Sequence, residues 1–394
     1  MSNASNTIIY LDNNATTRIA PEVLEAMMPF LGDSYGNPSS IHRFGGMIRR
    51  HINRAREQVA ALIGAEPEEI VFTSSGTESN NMALKGFVQS HNHIHKKSAQ
   101  IITAAVEHPS VRNTARLLKD EGAAAELVEL PVDEGGMIAL SDIDAKRIDP
   151  DTIVSIMWAN NETGVIFPID KIAEKVKSHG GIFHTDAVQA VGKIPINVKK
   201  SPVDMLAISG HKLHAPKGIG AAYFRAGTSF SPLLHGGHQE NGLRGGTENV
   251  PYIVGLGKAC ELAAARIEEE NTRVKAMRDR LERNLLEKCK GAKLNGLAAE
   301  RLPNTTNISF ENIEGEAILL YLDEHGIAAS SGSACTTGSL EPSHVMIAMG
   351  IPYSYAHSST RFSLSVYNAE EDIDKVIAVM PGIVEKLRQL SPFA

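Results

Sequence analysis

The chain has 394 residues and a formal net charge of −7 at pH 7, with 42% hydrophobic and 22% charged residues. This is the composition of a globular protein with room for two or three domains, and the negative charge argues against a nucleic-acid or anionic membrane surface as a partner. No apolar run reaches transmembrane length, and no basic region with an apolar core begins the sequence, so we expect a cytoplasmic protein.

Helical and extended patterns alternate along the first half of the chain. Apolar residues recur at helical spacing over 41–63, which predicts an amphipathic helix. Short apolar runs predict strands at 69–73, 100–105, 125–130, 152–159, 181–185 and 205–209. The alternation predicts an α/β fold, a mostly parallel sheet with helices on both faces, whose ligand site lies beyond the carboxyl ends of the strands.

A histidine-rich cluster interrupts this pattern at His91, His93 and His95. The spacing would suit a metal only in an extended segment, so we interpret the cluster as a solvated loop and expect no metal.

After Pro251 a long helical pattern leads out of the first domain. Strands predicted at 305–310, 326–330 and 361–366, with helices at 314–324 and from 369 to about 390, indicate a smaller α+β domain.

The strand predicted at 205–209 ends at Ser209 and leads to His211 and Lys212. A partly desolvated lysine at such a position can form a Schiff base with an aldehyde, and Ser209 and His211 can donate hydrogen bonds to an anion beside it. Asp186 follows the run at 181–185, where a buried carboxylate could keep a pyridinium nitrogen protonated. Pyridoxal phosphate needs both features.

A phosphate site is predicted where the strand at 69–73 turns through Gly76 and Thr77 into a helix. Backbone N–H groups at a helix start, together with the Thr77 hydroxyl, can bind a phosphate. Each signal has a simpler interpretation when taken alone. Lys212 could be a solvated loop residue, Asp186 a helix cap and the turn at Gly76 an ordinary N-cap.

The three cysteines have different surroundings. Cys335 lies among small and turn-forming residues in a segment at about 330–343, where no apolar neighbour would bury it. A thiol in such a loop can react in a closed site and then hand its product to another protein. Cys260 and Cys289 lie on helical apolar patterns, which favours packing in a core.

These residues resemble those of cysteine desulfurases in the class V aminotransferase family. The motifs run in order from about residue 8 to about residue 366 and include Tyr10-Leu-Asp-Asn13-Asn14, Gly36-Asn-Pro-Ser-Ser40, Glu107-His108-Pro, Trp158-Ala-Asn160-Asn161, Gly245-Gly-Thr247, Ser330-Ser-Gly-Ser-Ala-Cys335 and Thr360-Arg361. Some of these motifs are weak individually, whereas the ordered set is highly specific. The segment after Trp158 and the segment 185–192 are most similar to the nitrogen-fixation type.

The resemblance implies a fold-type I enzyme with pyridoxal 5′-phosphate as cofactor and a seven-stranded sheet in its large domain. It places the large domain at 16–260, and the small domain at 1–15 and 261–394. It implies catalytic roles for Cys335, Lys212 and His108, with His108 stacked on the pyridine ring and moving the substrate thiol proton. The implied cofactor-binding residues are Gly76, Thr77, His108, Asn161, Asp186, Gln189, Ser209, His211, Lys212 and Thr247, and the implied substrate-binding residues are Asn161 and Arg361.

The implied reaction removes sulfur from L-cysteine, leaves L-alanine and places a persulfide on Cys335. The resemblance also implies a homodimer in which Thr247 completes the partner's site. An iron–sulfur scaffold protein is the implied sulfur acceptor, with transient contact between a cluster and Cys335. A selenocysteine lyase, or another lyase or aminotransferase of the same fold, would share Lys212 and Asp186 but would not need Cys335. The sequence leaves open whether the sulfur serves nitrogenase maturation or general iron–sulfur assembly.

Overall fold

The computed structural model describes residues 8–297, 299–331 and 342–391. The strands in this part of the chain are β1 (Ile9–Tyr10), β2 (Ile70–Thr73), β3 (Ala99–Ala104), β4 (Ala124–Leu130), β5 (Thr152–Ser155), β6 (Ile182–Asp186), β7 (Met205–Ser209), β8 (Gly220–Phe224), β9 (Ala292–Leu294), β10 (Thr305–Phe310), β11 (Ile327–Ala328) and β12 (Thr360–Ser363). The α-helices there are α1 (Pro21–Leu31), α2 (Arg43–Ile63), α3 (Gly76–His95), α4 (Pro109–Asp120), α5 (Leu140–Asp144), α6 (Ile169–Ser178), α7 (Val250–Glu269), α8 (Lys275–Lys288), α9 (Gly315–Glu324), α10 (His344–Ala348), α11 (Tyr353–Ala356) and α12 (Glu370–Leu390). A π-helical segment, Glu270–Val274, joins α7 to α8, and a 3₁₀ turn, Gly210–Lys212, follows β7.

The described chain forms a seven-stranded sheet in the order β2-β8-β7-β6-β5-β3-β4. Strands β3 to β7 pair in parallel, and β8 is antiparallel to both of its neighbours, β2 and β7. Strand β2 therefore runs in the same direction as β7. The carboxyl ends of β2, β3, β5, β6 and β7 meet at one edge of the sheet, which confirms the predicted mostly parallel α/β fold.

Both faces of this sheet are covered by helices, and consecutive strand residues divide between the two faces. Ile101 packs with apolar residues of α3 and α4, whereas Ile102 packs with residues of α2, α6 and α7. Because both faces are buried, these strands consist of continuous apolar runs rather than alternating patterns. That is why the sequence showed them as short uninterrupted hydrophobic stretches.

A second apolar core lies around smaller sheets formed by the two ends of the chain. Strand β10 lies between β9 and β12 and is antiparallel to both, while β1 pairs in parallel with β11. Apolar residues of α8, α9 and α12 pack against these strands. The two cores are consistent with a large and a small domain, although the exact domain limits remain a prediction.

Several elements differ from the sequence prediction. Strand β8 was missed because its Gly-Ala-Ala-Tyr-Phe run has few branched residues, and β9 was missed because it has three residues. Strand β11 pairs with β1 rather than joining β10, and only an isolated bridge between Ser330 and Arg361 connects its end with β12. The histidine cluster lies in the last turns of α3, so its interpretation as a loop was wrong.

His91 is buried in α3, where its ring stacks on Phe87 and its Nε2 lies 3.3 Å from Asp151 Oδ1. In the described part of the chain no group of three histidine, cysteine or acidic side chains converges on a metal-ion position. Among the helices described, none combines the length and the apolar character needed to cross a bilayer.

Candidate active site

A cavity of about 450 Å³ opens at the edge where the parallel strands end. Its walls come from the segments that follow β2, β3, β5, β6 and β7, together with the segment after β1 and residue 361 of β12. Of the residues predicted for the site, the cavity is lined by Gly76, Thr77, His108, Asn161, Asp186, Gln189, Ser209, His211, Lys212 and Arg361. The lining runs from Asn14 to Arg361, so parts of the chain that are far apart in sequence form a single site.

One end of the cavity is formed by the start of α3. The Ser75 side chain caps this helix by accepting a hydrogen bond from Glu78 N at 3.1 Å, so the remaining N–H groups of the first turn are available to a ligand. A Cβ built on Gly76 would lie 2.7 Å from Val188 Cγ2 and 3.1 Å from Ser209 Cβ. Only glycine lets the helix start approach β7 this closely. The arrangement suits an anion held by Thr77, Ser209 and His211.

Lys212 lies in the 3₁₀ turn after β7, and its Nζ donates to the backbone oxygens of Asn14 and Ala15, the latter at 2.6 Å. The segment after β1 therefore positions the amine inside the cavity. Burial lowers the pKa of the adjacent His211 to about 4, and the positive charges of Lys212 and Lys217 add to this effect. His211 is neutral at pH 7, so it meets an anion as a hydrogen-bond partner rather than as a cation.

Asp186, the last residue of β6, is buried at the base of the cavity. One carboxylate oxygen accepts a hydrogen bond from Val188 N at 3.0 Å, and the other accepts from Asn80 Nδ2 at 2.7 Å. Two fixed donors set the orientation of the carboxylate, which can then bind a protonated ring nitrogen.

His108 is the N-cap of α4, and its Nδ1 accepts a hydrogen bond from Ser110 N at 3.1 Å. Burial lowers the pKa of His108, as does the nearby positive charge of Lys212, while Asp186 acts in the opposite direction. The adjacent Glu107 is fully buried and accepts from Met157 N at 2.6 Å, and burial raises its pKa well above the usual range. The lowered pKa favours the neutral ring, and the hydrogen bond from Ser110 N fixes that ring at Nδ1.

Two amides line the wall of the cavity. Gln189 is buried and donates from Nε2 to Asn14 O at 3.0 Å, which leaves its second amide hydrogen available to a ligand. The backbone oxygen of Asn161 accepts hydrogen bonds from Asn14 Nδ2 at 3.2 Å and from Arg361 Nη1 at 2.9 Å. Asn14 thus forms hydrogen bonds with Gln189, Asn161 and Lys212.

Arg361 is 2% exposed and reaches the cavity from β12. Its Nη2 lies 2.6 Å from Asp12 Oδ1, and this ion pair, together with the hydrogen bond to Asn161 O, fixes the plane of the guanidinium group. A planar guanidinium fixed in this way can bind a carboxylate through two parallel hydrogen bonds.

Among the described residues, Thr247 is the one predicted site residue that does not line this cavity. Thr247 is exposed and lies against residues after β2, outside the lining of the main cavity. Cys335 lies outside the described residues.

Cys260 and Cys289 are buried, as predicted, and burial raises their pKa values to about 12 and about 11. Neither thiol is suited to nucleophilic chemistry.

Sequence reasoning missed four polar residues that orient the predicted ones: Asp12, Asn14, Asn80 and Ser110. A signal was available for two of them. Asn80 lies three residues after Thr77 on the same helix face, and Ser110 occupies the second position after a histidine N-cap. Asp12 and Asn14 belong to the motif at 10–14, but that motif assigned them no role because their partners lie far away in the chain.

The site suits a ligand with an anionic group, an aldehyde and a basic aromatic nitrogen, which are the features of pyridoxal phosphate. The close packing at Gly76 leaves the helix start open to the anion, Lys212 can reach the aldehyde, and Asp186 can bind the nitrogen. Gln189 Oε1 and Asn80 Oδ1 are buried polar atoms for which the described residues provide no hydrogen-bond partner. Such unsatisfied atoms are typical of a site that awaits a polar ligand.

Comparison with known proteins gives consistent matches over nearly the whole chain. The family model of aminotransferase class-V matches residues 9–376. A cysteine desulfurase from Trichormus azollae is 57% identical over 386 residues, which cover 98% of this chain and 95% of that protein. The cysteine desulfurase NifS from Azotobacter vinelandii is 52% identical, with 98% and 94% covered. The solved structure of a NifS-like protein superposes with a TM-score of 0.89 at 39% identity, and the match covers 97% of this chain and 100% of that one.

Proposed function

We propose residue roles for this chain, which belongs to the aminotransferase class-V family and is a pyridoxal phosphate-dependent cysteine desulfurase. The observation that supports these roles is the single cavity that brings Lys212, Asp186 and the start of α3 together. When bound, the cofactor supplies an aldehyde that reacts with amines and a cationic ring that withdraws electrons from the substrate. The remaining chemistry depends on the side chains around it.

Three groups hold the cofactor in this proposal. The first turn of α3, with Thr77, Ser209 and His211, binds the phosphate. Asp186 hydrogen-bonds the ring nitrogen, and Gln189 and Asn161 serve the phenolate edge. The hydrogen bonds from Val188 N and Asn80 to Asp186 support this assignment, because they orient the carboxylate before the cofactor arrives.

Lys212 has two tasks in the proposed reaction. Its amine would hold the cofactor aldehyde in the resting enzyme and would be free to act as a base once L-cysteine is bound. The released Lys212 Nζ takes the proton from the substrate Cα and returns it later in the cycle. The carbonyl oxygens of Asn14 and Ala15, to which Nζ donates, give the displaced amine a defined resting position.

Arg361 binds the carboxylate of L-cysteine in the proposed complex. Its guanidinium group is already oriented by Asp12 and by Asn161 O, and little further ordering is required when substrate binds. His108 stacks on the ring and interacts with the substrate sulfur. Both residues line the same cavity as the cofactor-binding groups.

Cys335 is the proposed sulfur acceptor. Its thiolate attacks the substrate sulfur, an S–S bond forms, and the bond between sulfur and Cβ breaks with its electron pair moving to the carbon skeleton. That skeleton takes up a proton at Cβ and leaves as L-alanine. The sulfur remains on Cys335 as a persulfide. Support comes from the two other cysteines, which are buried and have raised pKa values.

We further propose that two copies form a symmetric homodimer in which Thr247 of each copy contacts the cofactor phosphate of the other. Thr247 is exposed and does not line its own cavity, which supports such a role. Large apolar side chains are exposed in the first part of the chain, among them Tyr35 at 77% and Ile41 at 104%. A second copy would cover such a surface.

The persulfide is passed to an iron–sulfur scaffold protein in this proposal, and the contact brings Cys335 transiently close to the cluster. The relative in Azotobacter vinelandii bears the name NifS, which favours a role in nitrogenase metallocluster maturation. We place the enzyme in the cytoplasm, because a reducing compartment keeps an acceptor thiol free between turnovers.

The decisive experiment compares the three single cysteine variants with L-cysteine as substrate. Cys335→Ala should still bind cofactor and substrate but should form neither persulfide nor alanine at a useful rate. Cys260→Ala and Cys289→Ala are matched controls and should remain active, because truncating a buried thiol costs stability, roughly 1 kcal/mol or somewhat more, without touching the chemistry. Alkylation and mass spectrometry should locate the sulfane sulfur on the peptide that contains Cys335.

Two outcomes would contradict this assignment. Sulfane sulfur on Cys260 or Cys289 would mean that another thiol accepts the sulfur. Full activity of Cys335→Ala would instead indicate a lyase that releases sulfur, or selenium from selenocysteine, without an enzyme persulfide.

A further inference from the structure

A chain of hydrogen bonds connects Asp186 with His108 through Asn80 and Ser110, neither of which is assigned a contact with cofactor or substrate above. Asn80 Nδ2 lies 2.7 Å from Asp186 Oδ2 and 2.8 Å from Ser110 Oγ. Ser110 Oγ lies 2.7 Å from His108 Nδ1, which also accepts from Ser110 N at 3.1 Å. Asn80 is 1% exposed and Ser110 is 8% exposed, so water does not compete strongly for these groups.

The donors and acceptors in this chain have a fixed direction. The carboxylate oxygen of Asp186 accepts, so the amide atom beside it is the NH₂ group of Asn80. The same NH₂ group donates its second hydrogen to Ser110 Oγ. The Ser110 hydroxyl hydrogen is then directed to His108 Nδ1, the remaining acceptor within reach. A backbone N–H can only donate, so the contact from Ser110 N independently requires an unprotonated Nδ1.

We propose that Asn80 and Ser110 are positioning residues that hold His108 as the neutral tautomer with its proton on Nε2, so that His108 faces the substrate as a hydrogen-bond donor. This inference rests on the proposed role of His108 at the substrate sulfur. A ring in this state stabilises a thiolate sulfur through Nε2–H. It does not take the thiol proton at that nitrogen, because Nε2 is already protonated.

The charges around His108 determine how the ring responds to pH. It is influenced by Asp186 at the end of β6, by Lys212 and His211 after β7, and by His344 on α10. Protonating the ring places a proton on Nδ1, which breaks the hydrogen bond from Ser110 N and forces the Ser110 hydroxyl to change from donor to acceptor. Those bonds stabilise the neutral form and lower the pKa. Removing the Ser110 hydroxyl should therefore raise the pKa of His108 by about half a unit to one unit.

The direct test is ¹⁵N NMR of the histidine-labelled holoenzyme at neutral pH without substrate, with the His108 signals identified by their loss in His108→Gln. We expect the Nδ1 signal at the chemical shift of an unprotonated nitrogen and the Nε2 signal at the chemical shift of a protonated one. In Ser110→Ala and in Asn80→Ala the titration of His108 should move to higher pH. The double variant should move no further than the larger of the single shifts, because both changes break the same chain.

Kinetics test whether the tautomer matters for the reaction. In Ser110→Ala, kcat should fall several-fold with little change in KM. The acid limb of the pH profile of kcat/KM should move to higher pH by the same amount as the His108 titration. Ser110→Thr keeps the hydroxyl and should restore both kcat and the position of the acid limb. Ser90→Ala removes a buried hydroxyl from α3 that bonds Ser229 Oγ at 2.8 Å, away from the cavity, and should change neither.

A proton found on Nδ1, or a His108 titration that is unchanged in both variants, would overturn the inference. The proposed role of His108 itself would fail differently. In that case His108→Gln would keep full activity, whatever tautomer the wild-type ring adopts.

Discussion

The chemistry at Asp186 depends on residues that never touch a substrate. A buried carboxylate without partners is unfavourable and has no defined orientation. Val188 N and Asn80 Nδ2 satisfy one oxygen each, and they leave the remaining lone pairs directed into the cavity. The same principle applies to Arg361, whose ion pair with Asp12 fixes the guanidinium plane. At this scale, function depends on orientation set by hydrogen bonds as much as on residue type.

Replacing Asp186 by Asn should leave cofactor binding largely intact but slow turnover by about a hundredfold or more, since each 1.36 kcal/mol of lost transition-state stabilisation reduces the rate tenfold. An amide cannot keep the ring nitrogen protonated, so the ring withdraws electrons less strongly from the substrate Cα. Single-turnover alanine formation and the affinity for pyridoxal phosphate should be measured together. Near-normal turnover in Asp186→Asn would show that this residue does not face the ring.

At the scale of elements, the sequence predicted what depends on local pattern. The strands at β2 to β7 and the helix α2 were visible because their apolar residues follow the periods of buried strands and amphipathic helices. Nine of the ten predicted site residues that line the cavity lie at or after the ends of strands that meet at one edge of the large sheet, and the tenth, Arg361, comes from β12. What the sequence could not show were contacts across long separations, such as Lys212 with Asn14 or Asp12 with Arg361. The pairing of β11 with β1 depends on tertiary packing in the same way.

The start of α3 provides a prediction at this scale. Gly76→Ala should weaken the affinity for pyridoxal phosphate about tenfold or more, because the new Cβ would meet Val188 and Ser209 and displace the first helical turn. Gly46→Ala is the matched control, since a Cβ at this position in α2 meets no atom within 4 Å. The dissociation constant can be measured by absorbance titration of the apoprotein. Equal affinities in both variants would mean that the phosphate binds elsewhere.

For the whole molecule, the site exists only where separate parts of the chain meet. Lys212 and Asp186 belong to the large sheet, whereas Arg361 comes from β12 and Asn14 follows β1 in the smaller sheets. The amine of Lys212 donates to the backbone oxygens of residues 14 and 15, so docking of the two apolar cores positions this amine. In the proposed homodimer, the Gly245–Thr247 loop would extend this dependence to a second copy. Arg244, just before the loop, pairs with Glu78 of α3 at 2.9 Å and thereby ties the loop to the start of α3 in its own subunit.

Mixed dimers test whether the sites are shared. In a dimer of one Lys212→Ala chain and one Thr247→Ala chain, the shared-site arrangement places both defects in one site and leaves the other site intact. We therefore expect up to half of the wild-type activity per dimer with normal cofactor affinity, whereas the Lys212→Ala homodimer is inactive and the Thr247→Ala homodimer binds cofactor weakly.

Thr272→Ala, which changes an exposed threonine whose hydroxyl bonds Glu268 O at 2.7 Å, is the control for loss of a threonine side chain. A mixed dimer of one Thr272→Ala chain and one Lys212→Ala chain should show the same half activity. The Thr272→Ala homodimer should have wild-type activity and cofactor affinity. Affinity in the mixed Lys212→Ala and Thr247→Ala dimer that stays as weak as in the Thr247→Ala homodimer would place Thr247 in the site of its own subunit. The lysine and the threonine would then act within one chain, and the dimer would not be needed to complete the phosphate site.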